Sequence, residues 1–172
     1  MTRLEIPNLW EFNCFGCSPT NDHGLQLKFY LSDKDNSCFS ECIISDNFCG
    51  FNGLVHGGII AALLDEVAAW TIISQLYEVG ITREITTKFL NPVRANTKIR
   101  VEGEIITHDK KNVVVLSRIT SNNGLLLAKA ESNWIIPSAS TLAKIGGIDE
   151  KNVQQLLESV IHPIQQLRKN NR

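Results

Sequence analysis

No excess of one charge runs through this chain. In 172 residues, 17 Lys+Arg stand against 18 Asp+Glu, for a formal net charge of −1. Binding a polyphosphate backbone draws on a cationic face, so nucleic acid is not an expected partner. Also missing is an uninterrupted apolar run of the roughly 18 residues a membrane span needs. The most apolar stretch, Gly57 to Leu64, is cut by Asp65 and Glu66, and no membrane span is expected. The first twenty residues lack the basic start and apolar run of an export signal. Five cysteines, Cys14, Cys17, Cys38, Cys42 and Cys49, cannot all pair within one chain. Reduced thiols and a cytoplasmic location are the expectation. Repeats and low-complexity tracts are absent as well.

What the chain does have is enough apolar material for one well-formed core. It is 43% hydrophobic and 20% charged, and a chain of this length hides roughly 70% of its unfolded surface on folding. One domain is expected. Segments with strand character run over Leu25 to Leu31, Cys38 to Ile44, Ile85 to Leu90, Ile99 to Thr107, Val113 to Thr120 and Leu125 to Ile136. Between them lie turn signals: Ser32 to Asn36, Asn91-Pro92, Asp109 to Asn112, and Ser121-Asn122-Asn123-Gly124, where Asn and Gly tolerate positive φ. The four later strands read as an antiparallel meander.

Between the second and third strands, Gly58 to Leu76 carries Ile59, Ile60, Leu63, Leu64, Val67, Trp70, Ile72, Ile73 and Leu76 on every side of a helical wheel. A helix apolar all round must be buried all round. A curved antiparallel sheet wrapped about it, in an α+β arrangement, is the simplest enclosure for a single domain. The tail from Asp149 to Lys169 reads as a capped amphipathic helix, kinked or broken near Pro163 and outside the sheet.

Two adjacent carboxylates, Asp65 and Glu66, interrupt the apolar helix, and a buried charge costs several kcal/mol unless partnered. Neighbouring helical residues point about 100° apart, so the two serve different surroundings. At i−4, i−3, i+3 and i+4 from Asp65 stand Ala61, Ala62, Ala68 and Ala69, which leaves a groove; Glu66 has Leu63 and Trp70 for neighbours. Asp65 is either a carboxylate neutralised by a basic or backbone partner that pins the helix, or a reactive group. The helix entry, Leu54-Val55-His56-Gly57-Gly58, favours the second reading. Free N–H groups at a helix N-terminus suit a carbonyl oxygen that becomes anionic, and glycine lets a ligand approach them. Gly57 and Asp65 lie eight residues apart, roughly 12 Å along a helix. That is too far for both to touch one carbonyl group. Either another group of the same chain supplies the base, or two copies pair so that Gly57 of one faces Asp65 of the other.

His56-Gly57-Gly58 followed by Leu64-Asp65-Glu66, the upstream Cys14-x2-Cys17 with Asn21-x2-Gly24-Leu25, and the later Asn91-Pro92-Val93 together resemble the hotdog-fold acyl-CoA thioesterases of the phenylacetate-pathway (PaaI-like) group. The likeness runs from about Cys14 to Ile136. It implies a single hotdog domain over 1–172, with a core of about 14–137 and a helical extension of about 148–170. It implies hydrolysis of an acyl-CoA in a homodimer or homotetramer, without a cofactor or metal, CoA being part of the substrate. The Gly57 N–H would polarise the thioester carbonyl, and Asp65 would act as general base or nucleophile across the dimer interface. Thr82, on the third of the main strands, would orient the water. Lys88 and the turn Lys110-Lys111-Asn112 would contact CoA, with His56 and Gly58 shaping the carbonyl site. In some relatives an Asn or Gln just before the HGG helps hold the carbonyl, and Asn52 is the displaced candidate here. Glu66 is placed near the substrate site in a structural or supporting role.

Other readings compete. Cys14-Phe15-Gly16-Cys17 has the spacing of half a zinc site, but a second pair at similar spacing is missing, and a turn with buried thiols is the expectation. A redox role would want a βαβ context. His56 is a candidate base, although its place beside Gly57 suits positioning. Thr82 and Lys110-Lys111 also have plain readings, as a strand former and a solvated turn. Trp10, Trp70 and Trp134 read as packing residues, with Trp70 a candidate for lining an acyl channel. Besides a thioesterase, the same pocket would suit a non-catalytic acyl-CoA binder or, with His56 and Asp65 as an acid/base pair, a hydratase or dehydratase on a related fold.

Overall fold

The structure is a computed structural model and describes residues 3–8, 12–32 and 37–169; Trp10 and most of the Ser32 to Asn36 turn lie outside them. The strands are β1 (Arg3–Glu5), β2 (Tyr30–Ser32), β3 (Cys38–Ile43), β4 (Cys49–Phe51), β5 (Leu54–Val55), β6 (Ile81–Phe89), β7 (Lys98–His108), β8 (Asn112–Ser121) and β9 (Leu126–Ile135). The helices are α1 (Gly57–Leu76), α2 (Ala139–Gly146) and α3 (Glu150–Lys169). Seven strands form one antiparallel sheet in the order β1-β2-β3-β7-β8-β9-β6, and β4 and β5 form a small ribbon of their own.

The curved sheet packs around α1 but does not bury it all round as expected: Gly58 is exposed, and Ala61, Ala62, Asp65 and Ala69 are only half-buried. Leu63, Leu64, Val67, Ala68, Trp70 and Ile72 are fully buried. From the sheet, alternate residues Ile99 and Val101, Val113 and Val115, Ala128 and Ala130 turn to the same interior, the period-2 pattern of a half-buried strand. Gly103 lets the helix come close, since a Cβ there would run into the Thr71 hydroxyl. By length and apolarity alone α1 would qualify as a membrane span, which the reading of Gly57 to Leu64 as a short run overlooked. In this fold the fully buried residues of α1 pack into the chain's own core.

Several expectations need correction. β7, β8 and β9 form the meander, but β6 does not continue it: β3 occupies the outer edge of β7, and β6 takes the free edge of β9. Within the stretch Leu25 to Leu31, β2 begins only at Tyr30. Gln26 adopts a positive φ of 48°, and Leu25 and Leu27 donate to the carbonyls of Phe15 and Gly16, so this stretch belongs to the N-terminal loop. α2 was not anticipated; Ser138 caps it and Gly147, at φ 64°, ends it. α3 runs through Pro163 without a break. Its apolar stripe of Val153, Val160 and Ile164 is buried, and Val160 and Ile164 join the main core with Trp70 and Leu31. That packing holds the helix on both sides of the proline.

Candidate functional site

Asp65 sits midway along α1, half-buried between Ala61, Ala62, Ala68 and Ala69. The Thr82 hydroxyl donates to its Oδ1 at 2.8 Å. Burial pushes the Asp65 carboxyl above the usual carboxylate range, and the Thr82 bond opposes that shift. Among the described residues no basic side chain is in ion-pair range of Asp65, so the reading of a helix-pinning ion pair finds no partner. What brings Thr82 inward is a register irregularity in β6. Thr82 pairs with Trp134 and Glu84 with Asn133, so Arg83 is an extra residue. A bulge of this kind re-aims side chains. The Thr82 hydroxyl, expected to orient the water, is thus placed on Asp65.

The HGG entry forms as expected. His56 is the N-cap of α1, and its Nδ1 accepts from the Gly58 N–H at 2.9 Å. The ring is therefore engaged in capping, which fits the positioning reading of His56. Gly57 is the first residue of the helix, where a backbone N–H has no intrahelical partner, and the Phe89 ring lies beside it. The segment leading in is held from two sides, with the Val55 N–H donating to the Val93 carbonyl and the His56 N–H to that of Phe48. Asn91 and Val93 thus acquire definite tasks. The side chain of Asn91 donates to the Leu126 carbonyl at 2.8 Å, and buried Val93 carries the bond to Val55. Asn52 is exposed in the tight turn between β4 and β5.

The structure does not gather every candidate in one chain. Gly57 lies beside Phe89, at the end of β6 opposite Thr82 and Asp65. Lys88 is exposed and lines a shallow cleft with Thr86, Leu116, Lys129 and Glu131. Lys110 and Lys111 lie in the β7–β8 turn and Asn112 opens β8; Asp109 Oδ1 accepts from the backbone of Lys111 and Asn112 at 2.7 and 2.8 Å. Asn112 pairs with Ile135, as does Ile81, so this turn lies at the Thr82 end of β6. Lys88, six residues from Thr82 along the strand, is roughly 20 Å away from that end.

Glu66 faces away from Asp65. Trp70 Nε1 donates to its Oε1 at 3.3 Å, and Cys14 Sγ lies 3.8 Å from both of its oxygens. Cys14, Cys17 and Glu66 bring three ligand-type atoms within 4.8 Å of one another. Burial pushes the Glu66 carboxyl up to about 7. The Cys17 thiol, donating to Cys14, draws the Cys14 thiol down and its own up. All five cysteines are unpaired. Trp70 is buried and stacked on Phe29 at 5.2 Å, and Trp134 is buried with its Nε1 donating to Ser132; both are packing residues. The signal for the Glu66 cluster was the Cys14-x2-Cys17 spacing, but its third member lies 49 residues further on.

Residues 52–128, the stretch from the β4–β5 turn into β9, match the family model of the thioesterase superfamily. The helix-in-sheet architecture and the similar solved structures show the hotdog fold. The phenylacetic acid degradation-related protein of Ralstonia eutropha JMP134 is 22% identical over 70% of this chain and 92% of that one, with a TM-score of 0.61. A Streptococcus mutans UA159 protein bound to acetyl-CoA is 18% identical over 76% of this chain and 97% of that one, with a TM-score of 0.63. A hypothetical thioesterase protein of Streptococcus pneumoniae TIGR4, with coenzyme A, is 19% identical over 59% and 78%, with a TM-score of 0.56. This chain spans 57% of the length of another similar structure, a thioesterase superfamily protein. No curated protein matches the chain by sequence.

Proposed function

We propose that this protein hydrolyses an acyl-CoA thioester to a free acid and CoA in a homodimer or larger homo-oligomer, without a cofactor taking part in the bond cleavage. The observation that carries the reading is Asp65, half-buried without a basic partner among the described residues and held through one oxygen by Thr82. Its other oxygen remains to accept a proton from water. The water oxygen then bonds to the thioester carbon, and the carbonyl oxygen becomes an oxyanion. Collapse of that intermediate breaks the carbon–sulfur bond, and the proton held on Asp65 goes to the departing thiolate. The oxyanion needs a donor about 3 Å away, and the Gly57 N–H of the same chain is roughly 12 Å along α1 from Asp65. Gly57 of a second copy is therefore the donor in this reading. A two-fold arrangement would also bring Lys88 of one copy towards Lys110, Lys111 and Asn112 of the other, joining the two basic groups that a single chain holds apart. The bound acetyl-CoA and coenzyme A in two of the similar proteins support a CoA ester as ligand.

Release of free thiol across a panel of short, long and aromatic acyl-CoAs tests this reading. Turnover of at least one member is expected. Binding of these esters without thiol release would make the protein an acyl-CoA binder, and hydration or dehydration of an enoyl or hydroxyacyl ester would move it to the hydratase class.

A further inference from the structure

We propose that Cys14, Cys17 and Glu66 bind a zinc ion that fastens the N-terminal loop to the central helix. These residues are separate from Asp65 and Thr82, and the inference does not depend on the hydrolytic reading. Zinc bound tetrahedrally by thiolate sulfur and carboxylate oxygen has ligand atoms about 3.6–3.8 Å apart, as its bond lengths of about 2.3 and 2.1 Å require. Cys14 Sγ is 3.8 Å from both Glu66 oxygens, and the three ligand atoms lie within 4.8 Å of one another. The group is thus close to a ligating arrangement before any adjustment.

Two further observations point to a cation. The cluster is poor in positive charge: among the described residues no Lys, Arg or His forms an ion pair with Glu66. Cys17 is buried and Glu66 is half-buried, so water competes poorly with a cation for these ligand atoms. The loop is also shaped to meet the helix. A Cβ on Gly16 would collide with the Glu66 carboxylate. Asn21 donates to the carbonyls of Asn13 and Cys14, and the Leu25 and Leu27 N–H groups donate to those of Phe15 and Gly16. Trp70 Nε1, donating to Glu66 Oε1, holds the carboxylate in place, the outer support that metal ligands commonly have. Three protein ligands leave the fourth position to a water molecule.

The test uses the full chain, purified without an affinity tag that binds metal, under reducing conditions and from zinc-supplemented cells. Elemental analysis is expected to find about one zinc per chain. Stripping it with a chelator should lower Tm by on the order of 5 °C, restored by zinc alone. Cobalt(II) added to the stripped protein should give a thiolate-to-metal charge-transfer band that saturates near one equivalent. Cys14→Ser and Cys17→Ser should each abolish the band, Glu66→Gln should weaken cobalt affinity at least about 10-fold, and Cys42→Ser should leave it unchanged. The wild-type cobalt titration does not depend on any variant folding. Failure of the wild-type protein to bind zinc or cobalt, or metal retained by a folded Cys14→Ser/Cys17→Ser double variant, overturns the proposal. Acyl-CoA turnover is not a readout here, so the two readings fail independently.

Discussion

Thr82 matters to the proposed chemistry through a single contact, the 2.8 Å bond to Asp65. Thr82→Val keeps the shape and the strand propensity but removes the donor. In steady-state assays it should lower kcat by about 10-fold with a smaller change in KM, because a base held in one orientation loses that constraint. An unchanged kcat would leave the hydroxyl a bystander. At this scale the sequence was informative about Asp65, because a carboxylate amid four alanines in an apolar helix needs an explanation. It was less so for Thr82, whose inward turn depends on the bulge at Arg83, a feature of strand register that no local pattern shows. Glu66 was harder still. Its loop partners are 49 and 52 positions away, and only the fold brings them to it.

At the scale of elements, α1 and the sheet fit by close approach. Gly103 on β7 faces Thr71, whose hydroxyl donates to the Val67 carbonyl. Gly103→Ala should destabilise the protein by about 1–3 kcal/mol through overpacking, read as a lower midpoint in urea. A midpoint equal to wild type would show that α1 can draw back without loss. α3 offers the complementary case. Ile164 is fully buried, so Ile164→Ala should cost about 2–5 kcal/mol in the same measurement, whereas a helix lying outside the core would lose almost nothing. The amphipathic pattern of this segment was legible and its burial was not. Periodicity tells which stripe is apolar, but the surface that covers the stripe is chosen by the rest of the chain. The same limit explains β6: its strand character was readable, yet its place beside β9 follows from β3 having taken the edge of β7.

For the molecule as a whole, the opposing positions of Gly57 and Asp65 along one helix make the second copy part of the proposed chemistry. The exposed Phe89 and Leu90 at the Gly57 end of β6, at 57% and 47%, are apolar surface that such a pairing would cover. The α+β architecture and the separation of Gly57 from Asp65 along one helix were both legible in the sequence, because each follows from helix geometry. The acyl group of the proposed substrate was not, since no local pattern in the sequence specifies the shape of a pocket. The most direct measurement of the central claim is kcat for acyl-CoA hydrolysis by Asp65→Asn, taken beside its affinity for a non-hydrolysable acyl-CoA analogue. The account predicts a fall in kcat of on the order of 10²-fold or more with affinity close to wild type; wild-type turnover in that variant would contradict it.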